Sequence, residues 1–168
     1  MRAGLSIRQA TPADIPTVVE LWNESKDWLA SKGLDQWQYP IKMHNVHRAV
    51  EAKACWLVEP PSGPAVATVT LDHTADPSLW RPDEHPEQGL YVHRLVVRRS
   101  EARHNLGAEI LDWANDQVRS AGRQFLRLDA WTNNVRLHDY YRRLGFRLVR
   151  IVEHPSGSGA LFERRVSD

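Results

Sequence analysis

The sequence predicts an α/β (α+β) domain organised around a parallel strand-helix-strand crossover, and three observations predict it. Residues 90–97 (Leu-Tyr-Val-His-Arg-Leu-Val-Val) are a strand-length run of β-branched and aromatic residues. Leu106, Ile110, Leu111, Ala114 and Val118 then recur at helical spacing, and Gly122 stands where a left-handed residue ends a helix. Residues 125–131 (Phe-Leu-Arg-Leu-Asp-Ala-Trp) are a second strand. Two strands joined through a helix run parallel, by a right-handed crossover.

The remaining elements follow in chain order. Residues 5–9 form a short strand, and Thr11-Pro12-Ala13-Asp14 is a helix start with a side-chain cap, a proline in the first turn and an acid three residues on. The stripe Ile15, Val18, Val19, Trp22 and Leu29 carries that helix to about Gly33. A second helix covers residues 43–52. Residues 55–58 and 66–71 are strands separated by the turn Pro60-Pro61-Ser62-Gly63-Pro64. Residues 75–89 are a proline-broken acidic loop, long enough to be functional or mobile. Asn133 and Asn134 cap a helix whose stripe is Leu137, Tyr140, Tyr141 and Leu144, ended by Gly145. The last strands are residues 146–152 and 160–164, joined by a Pro-Ser-Gly-Ser-Gly turn at 155–159.

At 168 residues, residues 1–168 are expected to be one domain with a full core of its own. Twenty-two basic against 21 acidic residues leave a formal charge of +1, which argues against a bulk nucleic-acid binder. Cys55 is the single cysteine, so an internal disulfide is excluded; it reads as a small buried hydrophobe. The start of the chain lacks a secretory apolar segment and no run approaches membrane-spanning length, so a cytoplasmic setting without membrane attachment is expected. His44 and His47 are three apart without a third ligand, and no metal is expected.

The chemistry concentrates between Val97 and Gly107. A loop entering a helix exposes unpaired backbone N–H groups and the positive end of the helix dipole, which together attract phosphate. Arg98, Arg99, Arg103 and His104 add positive charge beside it. The strand end Leu95-Val96-Val97, the loop register Ala102-Arg103-His104-Asn105-Leu106-Gly107 and the later Asn134, Tyr141 and Gly145-Phe146 resemble the GNAT superfamily of N-acetyltransferases. That family's signature is Gln/Arg-x-x-Gly-x-Gly/Ala after a strand ending in Leu-x-Val, then Asn, Tyr seven residues on, and Gly-Phe. Gly107 matches; Ala102 and Asn105 depart. Asn tolerates a left-handed backbone better than most non-glycine residues, so the loop can keep its shape.

The resemblance spans nearly the whole chain and implies the GNAT fold: a mixed, mostly antiparallel central sheet with the parallel crossover and helices on both faces. It implies acetyl-CoA as co-substrate, held by the backbone of Leu95, Val96 and Val97, by Arg103, His104, Asn105, Leu106, Gly107 and Ala108, and by Asn134 and Tyr141. The activity implied is acetyl transfer to a primary amine by direct attack through a tetrahedral intermediate. Tyr141 matches the residue that protonates the departing sulfur, a task for which a phenol suits a thiolate better than a carboxyl group does.

A base for the amine is sought on the strand itself. Tyr91, His93 and Leu95 share one face of an extended strand, and His93 titrates nearest neutrality, so it is the candidate. Glu24, Asp27 and Asp72 are acidic alternatives, and a water chain is another. Trp28, Gln36, Trp37 and Trp80 are candidates for an aromatic acceptor pocket that would favour an amine through cation–π contact. Trp22, Trp56 and Trp113 are assigned to packing. The expected partner is a small-molecule or peptide amine, and a homodimer is left open. Two other classes stand beside the enzyme: a catalytically weak or inactive acyl-CoA-binding sensor, and a partner-binding module with a tryptophan-rich surface.

Overall fold

The computed structural model describes residues 4–102 and 104–166. Arg103, expected in the cofactor loop, lies outside the described residues. The elements in order are β1 (Ser6–Gln9), α1 (Ile15–Ser31), α2 (Met43–Glu51), β2 (Cys55–Glu59), β3 (Ala67–Asp72), β4 (Gly89–Val97), α3 (Leu106–Ser120), β5 (Phe125–Ala130), α4 (Val135–Arg143), β6 (Arg147–Ile151) and β7 (Ala160–Arg165). Among the described residues the strands form one sheet in the order β1-β2-β3-β4-β5-β7-β6. β4 and β5 pair in parallel, as the helix between them requires, and β1-β2, β2-β3, β5-β7 and β6-β7 pair antiparallel. No described helix is long and apolar enough to cross a membrane.

The chain divides into two compact units: the described residues of Met1–Leu71 with Arg94–Ile110, and those of Asp72–His93 with Leu111–Asp168. β4 and α3 each contribute to both.

In the first unit, Thr11 and Asp14 begin the helical segment as expected. Asp14 accepts the Thr11 backbone N–H at 2.7 Å, and a 3-10 turn over Pro12–Asp14 leads into α1. Arg8 clamps the same carboxylate and that of Glu59 on β2, which holds Asp14 far below the usual carboxylate range. Ile15, Val18, Leu21 and Trp22 of α1 pack with Val46, Ala49 and Val50 of α2 and with Cys55 and Leu57 of β2. Gly33, at φ +69°, ends the helix region. Cys55 is buried and free, and burial pushes its thiol pKa up, consistent with a packing role.

In the second unit, a charged ladder crosses four strands. Tyr91 of β4 is in register with Arg127 of β5, Arg127 with Glu163 of β7, and Glu163 with Arg147 of β6. Arg127 is 2 % exposed; its guanidinium reaches Glu163 at 3.2 Å, the Tyr91 hydroxyl at 3.2 Å and the Glu84 carbonyl at 2.7 Å, and lies over the Trp80 ring. The long loop before β4 is thereby tied down, and its end is two 3-10 turns, Pro82–Glu84 and Pro86–Gln88. Arg150 of β6 adds bonds to Glu84 and to the Leu79 carbonyl. The α4 stripe is rotated from the expected one. His138 and Tyr141 are buried, whereas Leu137, Tyr140 and Leu144 are only partly so, because His138 bonds the Trp131 carbonyl at 2.8 Å.

Removing one member of a buried ion pair strands the other charge. Glu163→Ala is expected to destabilise the protein by about 3–5 kcal/mol. Arg147→Ala, at the solvent end of the ladder, should cost less than about 1 kcal/mol. Denaturant titration of both variants checks this, and equal losses would contradict it.

Candidate functional site

Two features of the backbone shape the loop region of the first unit. Arg94, in the middle of β4, has φ +49°, a left-handed conformation that a non-glycine residue adopts only where the surroundings impose it. It interrupts the extended strand just before Leu95-Val96-Val97, an irregularity of the kind that frees backbone N–H groups from the ladder. Asn105 has φ +62°, the left-handed geometry expected of a residue standing where the family signature has glycine. Its carbonyl accepts the N–H groups of Ala108 at 3.0 Å and Glu109 at 3.2 Å and so starts α3. The first-turn amides of Leu106 and Gly107 lie N-terminal to those bonds, where helix geometry provides no carbonyl for them. They sit at the positive end of a 15-residue helix. The side chains of Leu106 and Ala108 are buried.

The positive charge expected around this loop is largely committed elsewhere. Arg98 pairs with Glu24 at 2.9 Å and Glu20 at 2.8 Å and bonds the Ala65 carbonyl. Its charge therefore anchors the loop to α1. Glu24, one of the acidic alternatives for the base, also takes the Arg99 backbone N–H at 2.8 Å, which binds it to the same anchor. The Arg99 guanidinium lies 3.8 Å over the Trp28 ring, and His104 is 3.4 Å from Glu101.

The tryptophans divide. Trp28 is half-buried and carries Arg99 on its face. Trp37, at φ +61°, stacks on Trp22 with centroids 4.4 Å apart, and Gln36 is buried beside it. Trp80, expected with them in an acceptor pocket, belongs to a different cluster. It is 3 % exposed and packs with Leu79, Tyr91 and Leu161 beneath Arg127, so it is a core residue of the second unit.

Within the second unit, His93 lies between two carboxylates. Nε2 is 3.7 Å from Asp72 Oδ2 and Nδ1 is 3.6 Å from Asp129 Oδ1. The parallel register explains the second pair: Val92 is opposite Leu128, so the next residues, His93 and Asp129, are neighbours. Burial opposes the imidazolium, but Asp129 and then Asp72 outweigh it and raise the pKa from 6.5 to about 9. His93 therefore titrates well above the near-neutral value expected of a base on this strand, and its imidazolium is favoured at pH 7. Asp72, the last residue of β3, enters as a partner of His93. Asp129 had no signal in the sequence beyond its place on a strand.

Tyr141 projects from α4 into a cage of Tyr140, Phe146 and Phe162, with ring centroids 5.5, 5.7 and 5.6 Å away. Burial, then the neighbouring Tyr140 and the negative charge of Asp129, push its phenol above the ordinary value, so it is protonated near neutral pH. Asn134 caps α4, its side-chain oxygen accepting the Leu137 N–H at 3.1 Å.

Comparison with known proteins adds to this geometry. The model of the "Acetyltransferase (GNAT) family" matches residues 15–146. The uncharacterized N-acetyltransferase YesJ of Bacillus subtilis (strain 168) is 28% identical over 141 residues, covering 81% of this chain and 78% of that one. A GNAT-family acetyltransferase from Listeria monocytogenes 4b F2365 superposes with a TM-score of 0.81 at 22% identity, over 98% of each chain. The PaiA N-acetyltransferase of Thermoplasma acidophilum, solved with coenzyme A, superposes with a TM-score of 0.72 at 15% identity, over 96% of this chain and 98% of that one.

The folded protein favours the His93 imidazolium, so the stabilisation this adds is fully present below pH 6.5 and is lost as pH rises through about 9. Melting temperatures of the ligand-free protein are expected to fall across that window, and His93→Gln should lack this component. An identical pH slope in the variant would count against the assignment.

Proposed function

The chain belongs to the acetyltransferase (GNAT) family, and from that premise we propose that it is an acetyl-CoA-dependent N-acetyltransferase acting on a primary amine. The observation that carries the cofactor assignment is left-handed Asn105 at the entry to α3, which gives the loop the shape of a phosphate cradle although the family's first glycine is missing. Leu106 and Gly107 would offer N–H groups to the pyrophosphate, with Ala108 behind them and His104 beside them. The backbone of Leu95, Val96 and Val97, following the kink at Arg94, would bond the pantetheine arm and polarise the thioester carbonyl. Asn134 and Arg103 are carried over from the family resemblance. Acetyl-CoA supplies an activated acyl group whose carbonyl carbon can be attacked directly.

The acceptor nitrogen must first lose its ammonium proton. Its lone pair then forms the C–N bond, a tetrahedral intermediate results, and the C–S bond breaks as that intermediate collapses. The sulfur leaves with a proton, for which Tyr141 is the donor: a phenol that stays protonated near neutrality is always loaded for the task. The nitrogen releases its second proton as the amide forms. Trp28, Gln36 and Trp37 are the acceptor-side candidates, and the cation–π pair of Arg99 with Trp28 supports an aromatic surface suited to a cationic group.

Saturating acetyl-CoA should raise the melting temperature, since a ligand at 100 times its Kd adds about 2.7 kcal/mol. Gly107→Val should abolish that shift by keeping phosphate from the helix N-terminus. An unchanged melting temperature in the wild-type protein would remove the cofactor assignment.

Tyr141→Phe keeps the ring in its cage, so stability and acetyl-CoA affinity should hold while kcat falls by roughly 10- to 1,000-fold. Tyr140→Phe should behave as wild type. Coenzyme A release across a panel of amines reads both. Binding without release on any amine would favour a sensor over an enzyme.

A further inference from the structure

We propose that the indole N–H of Trp22 and the Trp37 ring stacked on that indole form an acceptor subsite, one that selects an amine carrying an uncharged amide carbonyl, as a peptide N-terminus does. The inference rests on the acetyltransferase reading above and names its acceptor class.

The starting observation is a donor without a partner. Trp22 is 5 % exposed, and its Nε1 is buried and makes no hydrogen bond among the described residues. A buried N–H that has given up water and gained nothing in return costs free energy, so native proteins answer nearly all such groups. The surroundings of Trp22 do not supply the answer: Val18, Leu21, Val46, Leu57 and Val96 share its buried cluster, and their side chains are apolar. Trp37 stacks on the indole with ring planes 22° apart, and it holds a left-handed φ of +61° to do so. The chain around Trp37 is fastened. The Gln38 side chain donates to the carbonyls of Lys26 and Gln36 at 3.1 and 3.0 Å, and the Leu34 N–H reaches the Leu29 carbonyl at 3.1 Å. The half-buried Trp37 side chain is therefore the part that can swing while the backbone stays in place, and its movement uncovers the Trp22 indole.

The chemistry of the ligand follows from the donor. An indole N–H donates and does not accept, so the ligand must present a lone pair. A carboxylate would enter an apolar cluster stripped of its water. A hydroxyl carries its proton on the accepting atom itself and would bury a second donor, whereas the N–H of a trans amide points away from the carbonyl oxygen. An amide carbonyl is thus the acceptor that meets this N–H at least cost. Val96, whose backbone the reading above assigns to the cofactor, belongs to the same cluster, which sets the subsite beside the acyl end of the cofactor. An amine without the carbonyl leaves the Trp22 N–H unanswered and is discriminated against for that reason.

The test follows the Trp22 indole N–H resonance by NMR in the wild-type protein with coenzyme A, during titration with alanine methylamide, propylamine or alanine. Alanine methylamide is expected to move that resonance to higher proton frequency, the direction of a hydrogen bond formed, while propylamine leaves it in place. In turnover with acetyl-CoA, kcat/KM for alanine methylamide relative to propylamine should fall at least about 10-fold in Trp22→Phe, which removes the donor. Taking the ratio cancels a general loss of active enzyme, and the wild-type resonance carries the test even where the variant folds poorly. A resonance unmoved by alanine methylamide at concentrations that saturate turnover, or a ratio unchanged in Trp22→Phe, overturns the subsite while leaving the acetyltransferase reading intact. An equal response to alanine overturns the uncharged class. A resonance that moves while no amine releases coenzyme A overturns that reading, and with it the part of the subsite in choosing an acceptor.

Discussion

A buried guanidinium governs the second unit. Arg127 has almost no contact with solvent, and a charge so placed must be answered on every side or it costs several kcal/mol. Glu163 answers it across one strand boundary and the Tyr91 hydroxyl across another, while the loop before β4 supplies backbone carbonyls from Glu84 and His85. Strand register, loop path and side-chain charge are thus solved together. A slip of one residue in β4 or β7 would turn Tyr91 or Glu163 to the opposite face of the sheet and leave Arg127 unmatched.

The same register places a second pair. Side chains two apart share a face, so the face that carries Tyr91 beside Arg127 carries His93 beside Asp129 one step further along. The ladder's inner rung is a buried ion pair, and the next rung holds the imidazole of His93 beside the Asp129 carboxylate. The phenol of Tyr141 senses the Asp129 charge, so Asp129 acts on titratable groups from both β4 and α4.

Much of this was legible in the sequence. The parallel crossover followed from Leu106, Ile110, Leu111, Ala114 and Val118, all of them buried, because local periodicity reports which side of a helix meets the core. The Asn134 cap and the left-handed Asn105 were readable for a similar reason: caps and turns depend on residues next to one another. What escaped depends on pairing at a distance. Nothing local marks Arg98 as a partner of Glu20 and Glu24 rather than of a phosphate, or Asp129 as a neighbour of His93. His138 displaced the expected α4 stripe because one buried hydrogen bond to Trp131 outweighs apolar spacing. Trp80 left the expected acceptor pocket because Arg127 holds its face.

Asn105 shows what a loop of this kind conserves physically. The requirement at that position is a sign, φ greater than zero, and a carbonyl aimed along α3. Glycine meets the requirement through freedom, since it has no Cβ to obstruct the turn. Asparagine meets it through a side chain short and polar enough to tolerate the left-handed well. The two solutions differ in the unfolded chain, where glycine has more conformations to lose. A search pattern spelled in residue letters treats such a substitution as a break in the motif, while one spelled in backbone angles reads straight through it.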